Sequence, residues 1–234
     1  MTARHDSPPR DLTRSLVAEA LGTGLLIIAV VGSGIMAETL SPTDVGLQLL
    51  ENAIATGGAL VGLILMFATV SGAQFNPIVT LMAVIDGALR PLHGVAFAVA
   101  QTGGGIIGAL TANAMFGHPA FEWSTKVRSA GPLWFSEAIA AFGLVLLIAS
   151  LVRTDRGGLV PFAVGAWITG AYWFTSSTSF ANPAVTVARM FSDSFAGIKP
   201  SSAPMFIVMQ IVGALVAIAI ASFLYPLPTP TEQT

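Results

Sequence analysis

The sequence predicts an all-α membrane protein with six transmembrane helices and two re-entrant half-helices, in which the second half repeats the first in inverted orientation. Three observations predict this fold: a very apolar composition, two Asn-Pro pairs that each start a helix inside an apolar region, and matching residues in the two halves. The prediction treats residues 1–234 as one membrane domain, with the repeats at about 12–118 and 130–226.

The composition is that of an integral membrane protein. Of the 234 residues, 54% are hydrophobic and 9% are charged, whereas soluble domains carry about 25% charged residues. The formal net charge of −2 offers no basic surface for nucleic acid. Cysteine is absent, so disulfides and thiol chemistry are excluded. The three histidines are scattered through the tail and the predicted loops, so we expect no metal site and no cofactor.

Long apolar runs define the predicted spans. The first run is too long for the apolar region of a signal peptide, and no small-residue cleavage site closes it, so we interpret it as a retained span. Six spans place both termini on one side of the membrane. The predicted spans are Leu16–Ala37, Leu49–Val70, Leu92–Phe116, Leu133–Val152, Leu159–Phe174 and Pro204–Leu224.

Basic residues near the ends of the spans predict the orientation, because cytoplasmic loops are enriched in Lys and Arg. The side that carries the termini is richer in these residues, which favours cytoplasmic termini. Arg189, on the other side and one helical turn beyond Val185, either guards the outer mouth of the pore or extends to the membrane interface, and we favour the interface. The terminal side has Arg4, Arg10, Arg14, Arg90, Arg153 and Arg156, and the other side has Lys126, Arg128, Arg189 and Lys199.

Two short helices are predicted to begin at Asn-Pro pairs. Asn76 and Asn182 are favoured N-caps, and the proline after each suits the first helical position. The helices are predicted to cover Pro77–Gly87 and Pro183–Asp193, about 16 Å each and so half of a ~30 Å hydrocarbon core. Non-helical backbone at this depth is tolerated only where it is buried or lines a wet cavity. The pattern therefore predicts a pore or a binding site where the two half-helices start.

Matching residues in the two halves indicate a duplication. Glu19 near the start of the first span corresponds to Glu137 in the fourth, and Gln101 in the third span corresponds to Gln210 in the sixth. Because each half has three spans, the second half is inverted in the bilayer. Inverted repeats with paired broken helices place their site near the midplane.

These residues resemble those of the major intrinsic protein family, the aquaporins and aquaglyceroporins. The resemblance extends from Glu19 to Gln210, which is nearly the whole chain. It is carried by the paired Glu, by the Gln-x-x-Gly of the third and sixth spans, and by the motifs Asn76-Pro77-Ile78 and Asn182-Pro183-Ala184. It implies one pore per protomer, a homotetramer, and passive passage of small neutral solutes without enzyme activity.

The departures from the family pattern lie around the pore. Ile78 stands where the family usually has Ala, and Gln74 where many members have His. Family members usually have Arg three residues after the second Asn as the main selectivity residue, and here that residue is Val185. By family spacing the other filter positions are Thr56, Gly170 and Ser179, all small. The loop carbonyls expected to face the pore are those of Gly72, Ala73, Gln74, Ser177 and Thr178.

The replacement at Val185 resembles a bacterial branch of the family that is linked to arsenic resistance, whose members conduct arsenite and organoarsenicals. This resemblance implies a wide pore in the bacterial cytoplasmic membrane for glycerol, metalloid hydroxides, methylated arsenicals and water. One alternative is an ordinary water or glycerol channel. Another is a proton- or ion-coupled transporter, which would need a titratable coupling residue. An enzyme is disfavoured because Ser176 to Ser179 have no His or Asp partner at a readable spacing.

Several side chains have two readings. Glu19 and Glu137 are either proton relays or braces for the unpaired backbone of the re-entrant loops, and their symmetry favours bracing, with Gln101 and Gln210 in support. Gln74 is either a pore-facing amide or a loop cap. The glycines of Gly58-x-x-x-Gly62 and Gly103-Gly104-Gly105 predict close helix contacts.

Overall fold

The computed structural model of the chain describes residues 11–227, and regular structure within this range is entirely helical. Arg4 and Arg10, which contribute to the predicted orientation, lie outside the described residues. Three short 3-10 helices cover Gly157–Leu159, Arg189–Phe191 and Pro200–Ser202. The α-helices are α1 (Leu12–Leu40), α2 (Val45–Phe67), α3 (Pro77–Ile85), α4 (Pro91–Met115), α5 (Gly131–Arg153), α6 (Val160–Phe174), α7 (Pro183–Ala188) and α8 (Ala203–Leu224).

The long helices account for the predicted spans. By length and composition, α1, α2, α4, α5 and α8 can each cross a membrane. Helix α6 has only 15 residues. The 3-10 turn at its start extends it to about 28 Å, which is close to the ~30 Å hydrocarbon thickness.

Both half-helices begin where the sequence predicted and end earlier. Helix α3 has 9 residues, and Gly87 beyond it has a left-handed φ of 74°. Helix α7 has 6 residues, followed by the 3-10 turn at Arg189. The N–H of Ile198 donates to the carbonyl of Arg189 over 3.2 Å. This bond turns the chain back, which ends the helix well before the predicted Asp193.

Equivalent helix pairs pack in each half. Helix α1 packs mainly on α4 and α2, α5 packs on α8 and α6, and α2 against α6 joins the two halves. A Cβ on Gly104 of α4 would lie 2.0 Å from the carbonyl oxygen of Ala20 in α1. A Cβ on Gly213 of α8 would lie 2.1 Å from that of Ala138 in α5. Each Gln-x-x-Gly motif therefore sets the close approach of the helix that carries the Glu.

The prediction of close contacts also holds for Gly105, where a Cβ would lie 3.1 Å from the Cβ of Ala188, but it is wrong for three other glycines. A Cβ on Gly58, Gly62 or Gly103 would meet no heavy atom of the described chain within 4 Å. These three glycines lie on the exposed outer face of α2 and α4. The same outer surface exposes large apolar side chains, such as Leu21 and Ile107, as contact with lipid requires.

Candidate functional site

The two asparagines cap their own half-helices and bind the opposite loop. Asn76 Oδ1 accepts from the N–H of Ile78 over 3.1 Å, and its Nδ2 donates to the carbonyl of Ala181 over 2.8 Å. Asn182 Oδ1 accepts from the N–H of Ala184 over 2.9 Å, and its Nδ2 donates to the carbonyl of Phe75 over 2.8 Å. Each amide nitrogen has a second hydrogen. That hydrogen is available to a solute, because both asparagines line the central cavity.

A buried carboxylate binds the backbone of the first loop. Glu19 Oε1 accepts from the N–H of Gln74 over 3.0 Å, and Oε2 accepts from the N–H of Phe75 over 2.7 Å. The hydroxyl of Ser71 also donates to Glu19, over 2.6 Å. Gln101 Nε2 donates to Glu19 over 2.7 Å. The carboxylate thus accepts four hydrogen bonds at 0% exposure.

The second loop has an equivalent arrangement. The N–H groups of Phe180 and Ala181 donate to the two oxygens of Glu137, each over 2.9 Å. Gln210 Nε2 donates to the same carboxylate over 2.5 Å and to the hydroxyl of Thr186 over 2.9 Å. Hydrogen bonds to a carboxylate are stronger than neutral ones, so both loops are held firmly at membrane depth.

The backbone groups that bind the glutamates belong to strained segments of the loops. Non-glycine residues adopt left-handed φ in both loops, including Phe75 at 49° and Ala181 at 47°. Such conformations cost about 1–3 kcal/mol each and persist where the surroundings enforce them. Both residues donate their N–H to a glutamate. The two carboxylates therefore bind the loops at residues with left-handed backbone.

A cavity of about 590 Å³ passes between the two half-helices. It extends from Asp86 and Gly157, in loops on the side of the membrane that carries Leu12 and Leu224, to Arg189 beyond the filter. Its walls are mostly apolar, and Asn76 and Asn182 provide polar groups midway. Gln74 also lines it, while its side-chain oxygen accepts from the hydroxyl of Thr80 over 2.6 Å.

The structure corrects three of the predicted filter and loop-carbonyl positions. Thr56, Ser179, Val185, Gly72, Ala73 and Gln74 line the cavity, whereas Gly170, Ser177 and Thr178 do not. The carbonyl of Ser177 instead accepts from Arg128 Nη1 over 3.3 Å, and Ser177 is fully buried.

Tyr172 takes the place predicted for Gly170. Its hydroxyl lies 3.1 Å from Thr56 Oγ1, and it lines the cavity. Two residues along a helix correspond to a rotation of about 200°. The family spacing, counted back from Asn182 through a non-helical loop, therefore selected Gly170, which lies on a face of α6 that does not border the cavity. Tyr172 follows Ile168 by four residues, and both line the cavity. This i, i+4 spacing was the signal in the sequence that could have identified Tyr172.

Arg189 does not extend to the membrane interface as predicted. Its side chain is 1% exposed, and its guanidinium carbon lies 3.4 Å from the centroid of the Phe180 ring. Its Nε donates to the carbonyl of Ala196. The interface prediction failed because the turn after α7 directs this residue inward, where it lines the cavity.

Arg128 provides a second buried cation near the same ring. Its guanidinium carbon lies 5.1 Å from the Phe180 centroid, and its Nε donates to the carbonyl of Gly197 over 2.8 Å. Its Nη2 donates to the carbonyl of Phe195 over 3.1 Å. Arg128 does not line the cavity, so its contacts fix the loops around the filter.

Together, the long apolar helices, the two half-helices that meet at their starts and the cavity between them define a membrane channel. A model of the family described as Major intrinsic protein matches residues 8–179. The chain is 49% identical over 214 residues to aquaglyceroporin AqpS of Rhizobium meliloti (strain 1021), covering 92% of this chain and 91% of that protein. It is 31% identical over 193 residues to a probable aquaporin TIP-type of Medicago truncatula, covering 75% and 74%.

A solved structure agrees with the fold. The aquaglyceroporin from Plasmodium falciparum superposes with a TM-score of 0.73 at 21% identity, covering 92% of this chain and 98% of that one. The chain belongs to the major intrinsic protein family and has the aquaporin-like fold. It is a multi-pass membrane channel for small neutral solutes and not an enzyme.

Proposed function

We propose that this channel has a wide filter that passes glycerol, metalloid hydroxides such as arsenite, methylated arsenicals and water. The observation that carries the proposal is Val185, an apolar side chain that lines the cavity where the family usually has an arginine. An arginine would project a charge and five N–H donors into this zone. Valine is shorter than arginine and therefore leaves a wider filter, next to the small side chains of Thr56 and Ser179.

Tyr172 limits this width on one side. Its hydroxyl pairs with Thr56 rather than extending freely into the cavity. The filter thus combines one aromatic wall with three small or medium side chains, which suits solutes with both apolar and hydroxylated surfaces. The printed name of the relative AqpS, an aquaglyceroporin, is in line with passage of solutes larger than water.

We infer that both glutamates brace their loops and relay no proton, because each accepts two backbone N–H groups and one glutamine amide. This supports a passive channel over a coupled transporter. We further infer one channel domain with repeats at about 12–118 and 130–226, assembled as a homotetramer in the bacterial cytoplasmic membrane with cytoplasmic termini. Exposed Gly58 and Gly62 on α2 would allow a neighbouring protomer to approach closely.

A flux panel in proteoliposomes tests the proposal. We expect the wild type to conduct water, glycerol, arsenite and a monomethylated arsenical down their gradients, unaffected by a protonophore. Val185→Arg should reduce the flux of the larger solutes by at least about tenfold, which corresponds to ~1.4 kcal/mol of added barrier, and spare water. Val185→Ala is the control for side-chain replacement alone and should keep all fluxes.

Three results would contradict the proposal. Unchanged passage of glycerol and methylated arsenicals in Val185→Arg would mean that Val185 does not border the constriction. Accumulation of a solute against its gradient in energised vesicles would favour the coupled transporter. A wild type that passes only water and glycerol would favour the ordinary channel.

A further inference from the structure

One charge in the cavity is not neutralised. Of the cavity-lining residues in the described chain, Asp86 and Arg189 are charged. Asp86 pairs with Arg153, with 2.7 Å between Oδ1 and Nη2. Arg189 forms no ion pair with any carboxylate of residues 11–227. Burying a cation without a paired anion is costly, so the retention of Arg189 inside the pore requires an explanation.

The geometry directs the donors of Arg189 into the cavity. The residue follows Val185 by one helical turn, and its guanidinium stacks on the ring of Phe180. Its Nε donates to the carbonyl of Ala196, while its two Nη groups donate to no protein acceptor within residues 11–227. The hydroxyl of Ser179, at the same end of the cavity, is also buried and without a partner. The Nη donors of Arg189 are therefore available to a passing solute, whereas the enclosed hydroxyl of Ser179 is not.

We propose that Arg189 supplies the filter cation that Val185 lacks, from a position one turn further along the second half-helix. The guanidinium lies against Phe180 at the wall of the pore, so the charge and the donors are kept while the space at Val185 stays open. The inference rests on the proposed function, because it concerns the same pore. It assigns to Arg189 two effects: a barrier to protons and other cations, and hydrogen bonds to the oxygens of neutral oxygen-rich solutes.

Proton leak separates this role from plain packing. A fixed charge in a low-dielectric pore adds to the positive ends of the two half-helices. Removing it should raise proton permeability by roughly tenfold or more. A guanidinium that only packs on Phe180 would leave the leak unchanged in any variant that assembles.

The experiment compares wild type, Arg189→Gln and Lys126→Gln in proteoliposomes that contain a pH-sensitive dye, under an imposed potential. Lys126 is the matched control, because its side chain carries the same charge near Arg128 but does not line the cavity. Burial, with smaller effects of Arg128 and Arg189, lowers the pKa of Lys126 to about 8. At pH 6.5 Lys126 is therefore charged. We expect a raised leak in Arg189→Gln, and a leak equal to wild type in Lys126→Gln.

A second-site variant sharpens the result. Arg189→Gln/Val185→Arg returns the cation to the family position. We expect it to restore the proton barrier and to lose the flux of glycerol and larger solutes. Wild-type leak in Arg189→Gln, at normal yield, overturns the inference.

Arg189→Lys decides the question where Arg189→Gln does not assemble. A buried lysine releases its proton far more readily than an arginine. The leak of Arg189→Lys at fixed driving force should therefore rise between pH 6.5 and 9 relative to wild type. A leak that follows the wild type over this range overturns the inference. Failure of the wild type to conduct glycerol would refute the proposed function, and the comparison of leaks would still decide the role of Arg189.

Discussion

The two re-entrant loops have the same internal support but different surroundings. In each, a glutamate accepts two consecutive backbone N–H groups, and a glutamine amide joins that glutamate to a half-helix threonine, Thr80 or Thr186. Around the first loop the further contacts are neutral, from Ser71 and Gln74. Around the second they come from two buried arginines. The hydrogen bonds that hold the loops are thus duplicated, whereas the buried arginines lie only around the second loop.

The largest effect is expected from removing the shared support. Glu19→Ala and Glu137→Ala each orphan two backbone donors, at ~1–3 kcal/mol per buried group, so each should cost roughly 2–6 kcal/mol. We expect similar losses in both, measured as the yield of monodisperse protein in detergent and as its thermal denaturation. Glu38→Ala, an exposed position on α1, is the control.

A clear difference between the two variants would contradict the equivalence of the loops. If either variant assembles normally and loses a pH dependence of flux that the wild type has, that glutamate acts as a proton relay.

A smaller effect is expected where α4 contacts α1 and where α8 contacts α5, because α1 and α5 carry the two glutamates. Gly104→Ala and Gly213→Ala would each place a Cβ about 2 Å from a backbone oxygen, and overpacking of this kind costs about 1–3 kcal/mol. The melting temperature should fall by similar amounts in both. Gly103→Ala is the matched control beside Gly104, because its Cβ meets open space. It should be neutral or slightly stabilising, since alanine favours a helix by about 0.5–1 kcal/mol over glycine. A loss in Gly103→Ala equal to that in Gly104→Ala would refute the contact.

The smallest effect is expected at Tyr172, the aromatic residue of the filter. Tyr172→Phe removes the hydrogen bond to Thr56, worth about 1 kcal/mol, and should change glycerol flux by at most about fivefold. Gly170→Ala should leave the flux unaltered, because Gly170 does not line the cavity. Stopped-flow light scattering measures both variants. A reduction of flux by Gly170→Ala without an effect of Tyr172→Phe would return the filter position to Gly170.

The features that the sequence predicted well depend on local patterns. Apolar run length determined the spans, and the Asn-Pro pairs determined where α3 and α7 begin, because cap chemistry and the geometry of proline act within a few residues. The end of α7 was predicted wrongly. It depends on the bond between Ile198 and Arg189, which joins residues that no local pattern connects.

The sequence by itself determined the membrane class, the duplicated half-helices and the residue types that face each re-entrant loop. Only the tertiary structure decided that Tyr172 and Arg189 border the pore and that Gly170 does not. Tyr172 rather than Gly170 faces the cavity because it continues the face of α6 that Val164 and Ile168 present to the cavity. Arg189 enters the cavity because the ring of Phe180 and the carbonyl of Ala196 hold it there, away from the interface. A linear pattern specifies composition and period, whereas the direction of a side chain beyond the end of a helix depends on the contacts that the rest of the chain provides.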